Sequence, residues 1–112
     1  MNKYEKAKKA YWKARQGINV KKNEQIVLEC KNDWSYFFAT NIKNADIKAH
    51  EKVILGFKNP EYSFLFAKYI SEANVEEHFK VILNSGDKYY LNFFIKYVNY
   101  KNTRVEDWLL YI

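Results

Sequence analysis

With 112 residues, 48% of them hydrophobic and 19% aromatic, the chain holds enough apolar material for the core of one ordinary domain. Its longest apolar runs, Tyr36 to Ala39 and Phe64 to Ala67, fall far short of the roughly 18 residues of a spanning helix. The lysine-rich start also lacks the apolar run of a signal peptide, so a cytoplasmic protein with no membrane partner is expected. The one cysteine, Cys30, excludes an internal disulfide and reads as a buried, reduced thiol, and the net charge of +6 invites an anionic partner.

Residues 4 to 15 predict a lone helix. Tyr4, Ala7, Tyr11 and Ala14 recur on one face, Lys3, Lys6, Lys9 and Lys13 lie away from it, and Gly17 marks the end. Residues 1 to 17 therefore read as a basic capping helix. Beyond them the sequence repeats with a period of 28. Asp46-Ile47-Lys48-Ala49-His50-Glu51-Lys52-Val53-Ile54-Leu55 returns as Asn74-Val75-Glu76-Glu77-His78-Phe79-Lys80-Val81-Ile82-Leu83, and Tyr62, Phe66, Tyr69 and Ile70 return as Tyr90, Phe94, Tyr97 and Val98. An earlier copy fits at an offset of 27 through Asn19-Val20 and Ile26-Val27-Leu28, then at 28 through Trp34, Ser35, Phe38 and Ala39, as if one residue were lost near its turn. The predicted repeats are residues 18 to 45, 46 to 73 and 74 to 101, with a partial unit from 102 to 112.

Each repeat predicts two helices. Ile47, His50, Ile54 and Phe57 form an apolar stripe, and Asn59-Pro60-Glu61 then supplies a cap, a first-turn proline and a first-turn acid for a helix carrying Tyr62, Leu65, Phe66, Tyr69 and Ile70. Asp33 and Asp87 are expected to cap the equivalent helices, and Asn19, Asp46 and Asn74 the helices that open each repeat, Asn74 with Glu77 resembling a capping box. Strands are disfavoured: no period-two alternation persists and only three glycines are present. Ser85-Gly86-Asp87 aligns with Phe57-Lys58-Asn59 and reads as an interhelix turn. Such αα-hairpins cannot bury their own apolar faces, so the expected fold is all-α: a right-handed stack of helix-turn-helix repeats, a small HEAT/TPR-like solenoid forming one domain over residues 1 to 112.

The run Ala-Asp-Ile-Lys-Ala-His-Glu-Lys-Val-Ile-Leu, then Asn-Pro-Glu-Tyr, then Leu-Phe-Ala-Lys-Tyr-Ile (residues 45 to 70) resembles short helical tandem repeats of proteins from low-GC bacteria and phages. Abundant lysine, asparagine, isoleucine and tyrosine fit A+T-rich codons. The first and third repeats depart from the pattern, Trp34 following Asp33 directly and Lys88 replacing the proline. In size and context the chain also resembles phage-borne anti-CRISPR inhibitors. That resemblance implies a protein or ribonucleoprotein target and no catalysis.

His50 and His78 stand at equivalent positions, three residues into successive first helices, and each is next to a glutamate, Glu51 and Glu77. A metal or proton-transfer pair is one reading. A partly buried interface histidine is the better one, since Asn23 fills the same position in the first repeat. No nucleophile stands beside a base and no Cys pair exists, so neither a catalytic site, a metal site nor a cofactor is expected.

The charge is uneven. Residues 1 to 22 hold eight Lys or Arg against Glu5 alone, a net of +7, while the remainder nets −1. Lys6, Lys9, Trp12, Lys13, Arg15, Lys21 and Lys22 are therefore predicted to bind a partner, as are Tyr89, Tyr100, Trp108 and Tyr111, aromatics that no later hairpin would cover. Most other aromatics are expected in the core. With only Arg15 and Arg104 to read base edges, sequence-specific DNA recognition is disfavoured. The predicted function is non-enzymatic protein–protein binding, the alternative nonspecific nucleic-acid binding, and homodimerisation through residues 105 to 112 is a separate expectation.

Overall fold

The computed structural model describes residues 1–98, and every described element is helical: α1 (Lys3–Arg15), α2 (Val20–Cys30), α3 (Trp34–Asn41), α4 (Ile47–Phe57), α5 (Pro60–Tyr69), α6 (Val75–Ser85) and α7 (Lys88–Tyr97). The all-α class follows. Among these residues no helix is long and apolar enough to cross a membrane. The partial unit at 102 to 112 lies outside the described residues.

The local signals that start and stop these helices are mostly side-chain caps. Asn2 Oδ1 accepts from the Glu5 N–H at 2.8 Å, Asp46 from Ala49 at 3.2 Å, Asn59 from Glu61 at 2.9 Å, Asn74 from Glu77 at 3.3 Å and Asp87 from Tyr90 at 3.1 Å. Each satisfies a backbone donor that the first helical turn leaves over. Two expected caps are corrected. Asn19 adopts a left-handed conformation (φ 42°) and its side chain makes no cap bond, and at α3 the capping oxygen belongs to Asn32, which accepts from Trp34 N–H at 3.1 Å in place of Asp33. The reason is the lost residue: Asn32 aligns with Asn59 at an offset of 27, and the deletion falls just after it.

The interhelix turns repeat with the same local backbone conformation. Lys31, Lys58 and Gly86 occupy equivalent positions and all three are left-handed, with φ of 51°, 54° and 74°. Glycine alone takes this conformation without crowding its Cβ, so the two lysines carry a small strain. At the far end of α3, α5 and α7 the N–H groups of Ile42, Ile70 and Val98 bond to the carbonyls of Phe38, Phe66 and Phe94 at 3.0, 3.1 and 3.0 Å, and the chain then leaves extended.

The chain divides into two compact units, Met1–Phe57 and Lys58–Ile112. The division falls inside the second repeat, between its two helices. In unit 1, α1 packs on α2 and α3, and α3 packs on α4, around Ala10, Tyr11, Ala14, Val27 and Phe38. In unit 2, α5 packs on α6 and α7 around Phe64, Val75, Phe79, Ile82, Leu91 and Phe94. One motif recurs in both. The fully buried Phe38 stacks on His50 with ring centres 4.9 Å apart and planes 23° apart, and the fully buried Phe66 stacks on His78 at 5.1 Å and 25°. The tight packing follows the repeat, since Val27, Ile54 and Ile82, and likewise Phe38, Phe66 and Phe94, are all sealed from solvent. Cys30 is buried and unpaired with another cysteine.

Candidate binding surfaces

In α1 the buried positions are Ala7, Ala10, Tyr11 and Ala14, a narrow stripe of mainly small side chains that seats the helix against α2 and α3. This leaves the lysines outside. Lys6, Lys9 and Lys13, at i, i+3 and i+7, spread over about 10 Å of helix axis and rim one cleft of about 290 Å³ with Met1, Ala10, Asn23 and Ile26. The cleft floor is apolar apart from Asn23. That amide is already committed, its Nδ2 donating to the Ile18 carbonyl at 2.8 Å. Among the described residues no carboxylate pairs with any of the three lysines.

The other predicted basic residues fall around this cleft in different ways. Lys22 is exposed and lies one helical turn before Ile26, on the cleft side of α2. Lys21 is exposed but lies 3.9 Å from Glu24 Oε1. Trp12 is 47% exposed on the adjacent face of α1, where Met1, Glu5, Lys8 and Lys9 complete a second cleft of about 350 Å³. The Arg15 guanidinium sits 5.5 Å above the Trp12 ring and donates to the Tyr11 hydroxyl at 3.2 Å, which holds it against α1. Sequence reasoning thus found the basic helix, and the structure gathers Lys6, Lys9 and Lys13 while directing Lys21 elsewhere.

Unit 2 presents a different surface. Tyr89 is 61% exposed and its ring meets Phe93 at 4.4 Å, and Phe93 meets Tyr97 at 5.5 Å. These residues stand at i, i+4 and i+8 and make a ridge along α7. Tyr97 and Tyr69, expected in the core, are 43% and 58% exposed. Both occupy the last turn of their helices, at the position that Asn41 fills in α3, so the repeat places this residue in solvent whatever its type. The Lys68 ammonium lies 5.1 Å from the Tyr69 ring and 5.0 Å from the Tyr97 ring. Tyr100, Trp108, Tyr111 and the dimer segment at 105 to 112 lie outside the described residues.

The polar group that sequence reasoning missed is Glu24. It is buried on α2, and its Oε2 accepts from His50 Nε2 at 2.9 Å and from the Asp46 backbone N–H at 2.7 Å. His50, expected to be partly buried, is sealed completely, and its partner is Glu24 rather than the neighbouring Glu51. Burial dominates and pushes the His50 imidazole below its ordinary value, against the opposing pull of the Glu24 carboxylate. The ring is therefore neutral near pH 7 and donates from Nε2. This pair ties α2 to the start of α4. It offers no surface to a substrate, and among the described residues no three His, Cys, Asp or Glu side chains converge to hold a metal.

No protein-family model matches the chain, no curated protein is similar to it, and no solved structure matches its fold.

Proposed function

We propose that the chain is a non-enzymatic binding protein whose unit 1 docks an acidic face of a larger protein or ribonucleoprotein. The observation that carries this reading is the gathering of Lys6, Lys9 and Lys13, without ion-pair partners, around one apolar-floored cleft. Such a surface suits an amphipathic acidic helix: an apolar side chain enters between Ala10 and Ile26 while carboxylates on successive turns meet the three ammonium groups. A phosphate backbone gains less there, because the floor offers no further donor once Asn23 is committed to Ile18. The recurrence of the left-handed turn, the Phe–His stack and the sealed core positions supports hairpin modules of the kind that build right-handed HEAT/TPR-like solenoids, a binding architecture. The resemblance to phage-borne inhibitors makes a bacterial CRISPR–Cas complex the first target to try.

The test is capture from nuclease-treated bacterial lysate with the wild-type chain and with the Lys6→Glu/Lys9→Glu/Lys13→Glu variant. The wild type is expected to retain a stoichiometric protein that the variant loses, with the same melting temperature for both chains. Equal capture by the two contradicts the reading.

A further inference from the structure

We infer that the exposed face of α7 is a platform for single-stranded nucleic acid, with bases stacking on its tyrosines and phosphates meeting its lysines. Two stripes run side by side along this helix. Tyr89, Phe93 and Tyr97 make the aromatic one, and Lys88, Asn92 and Lys96, all exposed, make the polar one. Each stripe advances about 6 Å per step, one step for every four residues. A third cation, Lys68 of α5, borders the ridge at Tyr97, and the Lys96 ammonium lies 5.2 Å from the same ring.

Charge selects the occupant. From Lys88 to Val98 there is no acidic residue. Two carboxylates lie near its start: Asp87, whose Oδ1 accepts from the Tyr90 N–H, and Glu61 of α5, both of which act on the Tyr90 hydroxyl. Lys88, Lys96 and Lys68 flank the aromatic strip, and rings bordered by cations are the pattern by which proteins hold single strands irrespective of sequence, since every base has a π-face. A cleft of about 400 Å³, lined by Leu83, Gly86, Asp87, Lys88, Leu91 and Asn92, opens beside the polar stripe, with room for a base turned off the ridge.

The repeat shows that this face is particular to α7. The positions of Tyr89, Phe93 and Tyr97 hold Asp33, Phe37 and Asn41 in α3, and Glu61, Leu65 and Tyr69 in α5. Asn92, exposed, replaces the buried Tyr36 and Phe64. Phe64 meets the Tyr90 and Phe93 rings of α7, whereas at the same position of its own helix α7 carries an exposed amide. α7 has also replaced the acid of the first turn with a tyrosine.

Binding of fluorescently labelled 12-mer oligouridine and oligothymidine to the full chain tests this by anisotropy. The wild type is expected to bind both single strands, to prefer them to a duplex of the same length, and to weaken steeply with salt. Tyr89→Ala/Tyr97→Ala is expected to lower affinity at least ~10-fold. Tyr89→Phe/Tyr97→Phe keeps the rings and is expected to retain binding. Neither change alters net charge, so the loss cannot come from weaker long-range attraction, and matching circular dichroism and melting curves establish that the fold is intact. Four results overturn the inference: no binding at low salt, equal affinity for the alanine variant, stronger binding to duplex, or a wild-type self-association that the alanine variant abolishes while oligonucleotides fail to bind. Because the groove of unit 1 is read by capture of nuclease-treated protein, failure of either site leaves the other measurable.

Discussion

Unit 1 carries twelve Lys and Arg against six Asp and Glu, whereas unit 2 carries seven of each, although both units use the same turn and the same Phe-on-His stack. Their interiors are nearly interchangeable by position while their surfaces diverge. The core positions are constrained by volume and tolerate little, whereas the solvent positions of the repeat accept Asn, Tyr, Asp or Glu without cost to packing. Surface chemistry therefore changes from one helix to the next while the buried positions repeat.

Substitutions sharpen this comparison, beginning where the units should agree. Phe38→Ala and Phe66→Ala should each cost about 3–5 kcal/mol by denaturant unfolding, because both remove a sealed ring with its histidine contact. A cost at one site and near neutrality at the other would break the equivalence of the two stacks. The next largest effect should come from the buried acid of unit 1. Glu24→Ala leaves His50 Nε2 and the Asp46 N–H without their buried acceptor and should cost about 2–4 kcal/mol, while Glu24→Gln, which keeps an acceptor oxygen, should cost less.

Acid should act through the same pair. The folded value of His50 lies below its unfolded value of 6.5, so the folded chain binds fewer protons over that interval. The stability it contributes is present above about pH 6.5 and is lost as pH falls through the folded value. Unfolding free energies at pH 7.5 and 5.5 should show this loss, and His50→Gln should flatten it. A slope unchanged in that variant would assign the acid sensitivity to other groups. The smallest effects belong to the turns, where Lys31→Gly should stabilise by a few tenths of a kcal/mol, relieving a left-handed lysine, and Gly86→Ala should destabilise by about 1 kcal/mol. Thermal melting measures both.

Much of the scaffold is readable in the sequence because it rests on local signals. Asn59-Pro60, Asn74 and Asp87 start helices where their spacing to the apolar stripe says they should. The division at residue 57 is less legible, since repeat periodicity marks similarity of sequence and carries no measure of how strongly successive helices pack. Glu24 escaped because a charge on an amphipathic helix ordinarily faces water. A signal was present: the same position holds Glu51 in the second repeat and Phe79 in the third, and a place that accepts phenylalanine is a buried place. The exposure of Tyr69 and Tyr97 was encoded likewise in Asn41. The basic cleft was half legible. Charge density named α1, but only packing against α2 could bring Ile26 and Asn23 beneath Lys6, Lys9 and Lys13.

The central claim, two surfaces of different chemistry on one repeated scaffold, is tested most directly by amide chemical-shift mapping of the isotopically labelled full chain. It would be titrated separately with 12-mer oligouridine and with an acidic amphipathic helical peptide. The account expects the oligonucleotide to shift resonances along α7 and Lys68, and the peptide to shift those of α1 and α2 around Lys6, Lys9, Lys13 and Ile26. Oligonucleotide shifts confined to the lysines of α1, with α7 silent, would contradict it.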